Sequence, residues 1–210
     1  MAAALRIGID FDNTLITYDH VFLTIARERG LASATFSGRK QAIRDSIRLL
    51  PHGELSWQQL QGQVYGKGVA GAAMFDGVDS FLRRSQREGV SVVIVSHKTE
   101  YGHHDPERVS LRKAALDWMT VNGFFLDSGY AIPPTSVYFE ATREEKIARI
   151  AQLGCTHFID DLEEVLTDPA FPRGVERILF AEDGVASGAE PFVVCPTWRH
   201  IEERVFRARK

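Results

Sequence analysis

Cysteine is scarce in this chain, with only Cys155 and Cys195 in 210 residues. Two thiols this far apart make neither a disulfide framework nor the ligand spacing of a zinc finger. Stapled secreted scaffolds are thereby excluded, and a reducing, cytoplasmic setting is expected. An excess of one charge is also missing. Lys and Arg number 25 against 28 Asp and Glu, and the net charge of -3 offers no general attraction for nucleic-acid polymers or anionic membranes. Long hydrophobic runs are absent too. Val90 to Val95, broken by Ser91, is among the longest and is far too short to span a bilayer. Met1 to Ile9 has neither the basic start nor the apolar stretch of a secretory leader. No internal repeat, low-complexity tract or linker interrupts the chain. What remains is an ordinary globular composition, 44% hydrophobic and 25% charged, with the length of one domain or of one domain carrying an insertion.

The stretch Ile7 to Leu15, Ile-Gly-Ile-Asp-Phe-Asp-Asn-Thr-Leu, organises the rest. Leu5, Ile7 and Ile9 form the short apolar run of a strand buried on both faces, and Asp10 and Asp12 follow at its carboxyl end. Ligands of open α/β sheets bind beyond these strand ends. If the chain stays extended, residues 10 and 12 project to the same side. Two carboxylates that close repel each other unless they share a cation or a proton.

After Leu15 the pattern turns helical. Val21, Phe22, Ile25 and Ala26 form a stripe stopped by Gly30, and Ile43, Ile47 and Leu50 share a face of a second helix closed by Pro51. Ser56 to Gln59 has capping-box spacing, which predicts a third helix to about Tyr65. Gly66, Gly68 and Gly71 break the pattern, so residues 17–72 read as a small all-helical insertion. The α/β alternation resumes at Asp76-Gly77 with a helix through Glu88, then a strand over Val90 to Val95. Asp105-Pro106 predicts a helix start running to Val121. Further strands are expected at Val137 to Phe139, Thr156 to Ile159, Ile178 to Ala181 and Phe192 to Cys195. Thr142 to Glu145 is a second capping box, opening a helix that Gly154 stops, and a final amphipathic helix follows Thr197.

Strand ends and helix starts bring several reactive groups to one rim: Asp10 and Asp12, then Ser96, then Lys146, then Asp160 and Asp161. Carboxylates with backbone carbonyls suit a hard, oxygen-preferring cation such as Mg²⁺, which keeps waters and accepts substrate phosphate as a ligand. Such a metal neutralises the acids and polarises a phosphoryl group, while Lys146 and Ser96 hold phosphoryl oxygens. One aspartate can then attack phosphorus and the other give and take a proton.

The stretches Asp-Phe-Asp-Asn-Thr-Leu, Val-Ile-Val-Ser, Lys146 and Phe-Ile-Asp-Asp, in that order, resemble the four signature stretches of the haloacid dehalogenase-like superfamily. They span residues 10 to 161, about three quarters of the chain. The resemblance implies a Rossmann-like, mostly parallel sheet flanked by helices, with a core over 1–16 and 73–210 and a small helical cap over 17–72. It implies Asp10 as the nucleophile of an aspartyl-phosphate intermediate and Asp12 as general acid/base, its backbone carbonyl on Mg²⁺. Ser96 and Lys146 become phosphate-binding residues, joined by Asn13 and His97. Asp161 is favoured as the direct metal ligand and Asp160 as its support, though the two roles are exchangeable. An acid at position 12 points away from dehalogenation toward Mg²⁺-dependent hydrolysis of a phosphomonoester or a phosphomutase. The expected substrate is a small phosphorylated metabolite, a nucleoside monophosphate or a sugar phosphate. The absence of a Walker-type loop argues against a kinase. Transfer of the phosphoryl group to an acceptor and a non-catalytic binding role are the alternatives, the latter disfavoured because every group the reaction needs is present.

Other residues have plainer readings. His103, His104 and Asp105 lie in a polar loop without further metal-ligand spacing, so solvent exposure is favoured over a zinc site. His97 or Lys98 could contact a leaving group. Arg39, Arg44 and Arg48 could line the cap's inner face, but solvated arginines are commoner. Trp57, Trp118 and Trp198 read as core, and Cys155 as a buried, inert thiol.

Overall fold

The opening apolar run forms β1 (Arg6–Ile9), whose Ile7, Gly8 and Ile9 are buried. The computed structural model describes residues 4–102, 107–185 and 191–207. In chain order, β1 is followed by β2 (Ile16–Thr17), α1 (Asp19–Glu28), α2 (Lys40–Arg48), α3 (Gly53–Tyr65), a 3₁₀ turn at Lys67–Gly71 and β3 (Ala73–Met74). Then come α4 (Val78–Arg87), β4 (Ser91–His97), α5 (Leu111–Val121), β5 (Val137–Glu140) and α6 (Arg143–Leu153). The chain ends with β6 (His157–Asp160), α7 (Glu163–Leu166), β7 (Glu176–Phe180), β8 (Val193–Cys195) and α8 (Trp198–Phe206). Among the described residues no helix is long and apolar enough to cross a membrane.

The described chain divides into two compact units. The first comprises Met1–Ile16, Met74–Lys98 and Gly123–Lys210. Its six-stranded sheet has the order β5-β4-β1-β6-β7-β8, and all neighbouring strands are parallel. The chain works outward from β1 through β4 to β5, then crosses to β6 on the other side and works outward again. That reversal puts a topological switch point between β1 and β6, the place where doubly wound sheets open a crevice at their carboxyl ends. One face of the sheet packs Val93, Val95, Phe158 and Leu179 against Ile147 and Ile150 of α6. Elsewhere in this unit Phe81 of α4 meets Trp198 and Phe206 of α8 edge-on or tilted, with ring centroids 5.1 and 5.7 Å apart. Gly8 is required by packing: a Cβ there would lie 2.5 Å from Phe158 Cδ2 on the neighbouring strand.

The second unit comprises Thr17–Ala73 and Thr99–Asn122. The expected helical segment over 17–72 is thus joined by α5. The tie is specific: the buried Trp118 Nε1–H donates to the Ala72 carbonyl at 3.1 Å, a contact between residues too distant in sequence for local patterning to announce. Phe22 stacks on Trp57 with centroids 5.1 Å apart, and Tyr65 meets Phe22 edge-on.

Two helix starts differ from expectation. Helix α3 begins at Gly53, so Ser56 lies inside it, its N–H donating to the His52 carbonyl. The chain turns sharply after α2, with His52 at φ 57°, and a Cβ on Gly53 would overlap the Ile47 carbonyl oxygen. The tight turn fits only if the next helix starts at that glycine. The proposed start at Asp105-Pro106 lies outside the described residues. The described helix begins at Leu111, where Ser110 Oγ accepts from the Lys113 N–H. The second capping box forms as expected, Thr142 and Glu145 pairing reciprocally, and the structure adds a cap at Thr197, whose Oγ1 accepts from the His200 N–H.

Candidate active site

The site lies at the carboxyl rim of the first unit's sheet, around the switch point. Asp10 is the first residue past β1, and its N–H continues the ladder by donating to the Ile159 carbonyl at 2.9 Å. Asp160 closes β6 on the adjacent strand and is fully buried. Lys146 occupies the first helical turns of α6 and is also buried. Its Nζ lies 2.7 Å from Asp10 Oδ1 and 2.7 Å from Asp160 Oδ2, so one ammonium bridges the ends of two strands. The Leu162 N–H donates to Asp160 Oδ1 at 3.0 Å. Among the described residues, Asp160 Oδ2 has the Lys146 ion-pair contact and no partner with hydrogen-bond geometry.

Burial raises the Asp10 carboxyl, Lys146 opposes it and Asp160 and Asp12 add to it, and together they leave it at about 6. Burial alone would lower the Lys146 ammonium, but the Asp10 and Asp160 carboxylates outweigh it and raise its pKa. Lys146 is therefore a permanent cation at working pH.

Asp161 extends the cluster. It accepts from the buried Thr14 hydroxyl at 3.1 Å. Oxygens of Asp10, Asp160 and Asp161 lie within 4.8 Å of one another. Three carboxylates against one lysine leave two formal negative charges, all of them hard oxygen donors. One of those oxygens is buried without a hydrogen bond. A divalent, oxygen-preferring cation such as Mg²⁺ fits this donor set in charge and chemistry.

Asp12 sits apart from that triad. Its Oδ2 lies 2.6 Å from Nζ of Lys98, whose side chain is only 2% exposed. Ser96, two residues earlier, is buried, and its hydroxyl has no hydrogen-bond partner among the described residues. Alternation along β4 accounts for the difference between neighbours: Ser96 and Lys98 are buried while His97 between them is exposed. His97 donates from Nε2 to the Ala141 carbonyl at 2.9 Å, so the structure commits it to the backbone rather than to the acidic cluster. Asn13 takes the left-handed conformation, φ 61°, that turns the chain after the two aspartates, and its amide type tolerates that conformation.

Sequence reasoning therefore brought Asp10, Ser96, Lys146, Asp160 and Asp161 to one rim. It named His97 for phosphate binding and left His97 or Lys98 open as a leaving-group contact, although the period of two already used for residues 10 and 12 pairs Ser96 with Lys98. It also passed over Thr14, for which no sequence signal stood out. On the helical unit, Arg44 and Arg48 are engaged by Asp45 at 2.9 Å and Glu54 at 2.7 Å, and Arg39 lies 4.0 Å from Asp19. These arginines serve surface ion pairs. His103, His104 and Asp105 lie outside the described residues. The three tryptophans are buried, and burial raises the Cys155 thiol to about 11, which keeps it an inert thiol at neutral pH.

A parallel sheet of this order, with an aspartate-rich rim at its switch point, has the haloacid dehalogenase-like fold. Solved structures agree. A HAD family hydrolase from Deinococcus radiodurans R1, with bound phosphate and sodium, superposes with a TM-score of 0.56 at 14% identity, covering 99% of this chain and 97% of that one. Protein Tyrosine Kinase A from Mycobacterium tuberculosis gives 0.61 at 14% identity over 98% and 99% of the two chains. A predicted phosphoglycolate phosphatase from Haemophilus somnus gives 0.52 at 13% identity over 97% and 99%. No protein-family model and no curated protein sequence matches the chain.

Proposed function

We propose that this protein hydrolyses a small phosphomonoester, such as a nucleoside monophosphate or a sugar phosphate, through an aspartyl-phosphate on Asp10. The observation that carries the reading is the convergence of Asp10, Asp160 and Asp161 on one rim, with Lys146 bridging two of them. Lys146 is bound to Asp10 and Asp160, and Lys98 to Asp12. Asp10 and Asp12 thus have different cationic partners, which supports giving them the separate roles of nucleophile and proton carrier.

The carboxylate of Asp10 forms a bond to phosphorus as the ester P–O bond breaks. Asp12 delivers a proton to the departing alcohol oxygen. Water then attacks the phosphoryl-aspartate, Asp12 takes its proton, and inorganic phosphate leaves with Asp10 restored. Lys146 orients Asp10 and balances charge on the phosphoryl oxygens. Ser96, whose buried hydroxyl lacks a partner, supplies a donor to one of those oxygens, with Asn13 at the adjoining turn. Asp10, Asp160 and Asp161, with the Asp12 backbone carbonyl, would hold Mg²⁺. When bound, the metal would favour ionised Asp10, neutralise the neighbouring acids and polarise the phosphoryl group.

A second reading, transfer of the phosphoryl group to an alcohol acceptor, is supported by the similar structure described as a tyrosine kinase. One assay separates the two. Phosphate release is measured across nucleoside monophosphates and sugar phosphates, with Mg²⁺ or excess chelator, and with and without acceptor sugars. Metal-dependent release of free phosphate is the expected result. Product phosphorylated on the acceptor would replace hydrolysis by transfer, and no consumption of any ester by folded protein would overturn both readings.

A further inference from the structure

Lys98 is a buried cation at a place where an apolar residue would be the simpler solution. An ion pair with so little solvent contact gives little net stability relative to well-packed apolar side chains, because both charges lose water. What it does provide is geometry. Lys98 is held at both ends. Its N–H donates to the Glu140 carbonyl at 2.9 Å, carrying the β4–β5 ladder one residue beyond β4. Its ammonium lies 5.8 Å from the ring centroid of Phe11, which is itself fully buried between the two aspartates in sequence. From that fixed stem, Nζ reaches Asp12 Oδ2 at 2.6 Å.

The electrostatic setting makes such an anchor necessary. Asp12 shares the rim with the carboxylates of Asp10, Asp160 and Asp161, and like charges drive it away from them. Lys146 is engaged by Asp10 and Asp160. Lys98 opposes the repulsion, and by gripping one carboxylate oxygen it limits rotation of the whole planar group.

We propose that Lys98 is a positioning residue. It holds the Asp12 carboxylate in the orientation from which a proton reaches the leaving-group oxygen, and it acts through Asp12 rather than on the substrate. The inference rests on the hydrolytic reading given above.

The test uses a leaving-group series, dinitrophenyl, nitrophenyl and phenyl phosphate, with wild type, Lys98→Met, Asp12→Asn and the double variant. A dinitrophenolate leaves without a proton, whereas a phenolate leaves far more readily with one. Lys98→Met is expected to lower kcat for phenyl phosphate on the order of tenfold to a hundredfold and for dinitrophenyl phosphate by less than about threefold. In the Asp12→Asn background it should cause no further loss with phenyl phosphate. Lys98→Gln, which keeps an N–H donor, should recover part of the rate, and it carries the comparison if the methionine variant loses its native circular dichroism. Equal losses across the series would mean a merely structural role and overturn the inference. So would an additive loss in the Asp12→Asn background, which would put Lys98 on the substrate itself. If wild type hydrolyses none of the three esters, the hydrolytic reading falls and this inference with it. If wild type and Asp12→Asn behave as expected while Lys98→Met equals wild type, only the inference falls.

Discussion

Asp10 and Lys146 are joined at 2.7 Å although 136 residues separate them in sequence, and both are buried. The pair gathers the nucleophile candidate and its counter-charge at the junction of β1 and β6. It does not fully repay the burial of Asp10, whose carboxyl still stands well above its ordinary range. Charge at this position works against stability in the metal-free protein, and that has a measurable consequence.

Asp10→Asn should lower turnover by more than about 10⁴-fold while raising the melting temperature of the metal-free protein at neutral pH. The sign follows from the shift: the folded state keeps a proton up to about 6 where the unfolded chain loses it near 3.8. Wild-type stability therefore falls as pH rises through that window, and the asparagine variant lacks the slope. The melting-temperature difference should grow from about pH 4 to about pH 6 and then level off. A lower melting temperature for the variant at pH 7 would mean that the Lys146 pairing outweighs the burial.

His157 carries the opposite slope. Burial lowers its pKa below 6.5, Glu176 at 3.5 Å pulling the other way, so the folded state resists a proton that the unfolded chain accepts. Stability is lost as pH falls below about 6.5, where the unfolded state binds more protons. Chemical denaturation of His157→Gln between pH 5 and 7.5 should show a shallower acid-side loss than wild type. Parallel curves for the two proteins would count against a half-buried neutral imidazole.

Gly8→Ala tests the packing at the centre of the sheet. The new methyl would meet Phe158 Cδ2 at 2.5 Å and Cys155 Sγ at 3.0 Å, so the strands must separate or Phe158 must move. Overpacking of this kind is expected to cost about 1–3 kcal/mol in urea denaturation. Phe158→Leu in the same chain should give back part of that loss, a coupling of at least about 0.5 kcal/mol. An alanine variant as stable as wild type would show that the interior yields more easily than this contact allows.

The six strands of the parallel sheet were legible because alternation and short apolar runs are local properties, whereas the two-residue strands β2 and β3 are too short to carry such a pattern. Thr142 was readable as a cap for the same reason, since it satisfies donors within one helical turn. The start of α3 was misplaced because Ser56 has the spacing of a cap but Gly53 has the only backbone that clears Ile47, and that constraint comes from packing against the preceding helix. His97 and Lys98 both follow Ser96 directly, which left either open as a leaving-group contact, with His97 alone named for phosphate binding. The alternation of β4 settles which of the two faces inward, and the depth at which Lys98 meets Asp12 exists only once β4 lies beside β1.

The sequence by itself determined that an α/β sheet would form and that Asp10, Asp12, Ser96, Lys146, Asp160 and Asp161 would stand at strand ends or helix starts on one edge. Periods of two and 3.6 residues, turn chemistry and chain order are enough for that. Only the tertiary structure decided the partners: Lys146 for Asp10 and Asp160, Lys98 for Asp12, Thr14 for Asp161, and α5 for the helical unit. Those pairings depend on which strands become neighbours and how deeply each side chain is buried. Both are properties of the packed chain, in which distant residues compete for the same few ångströms of low-dielectric space.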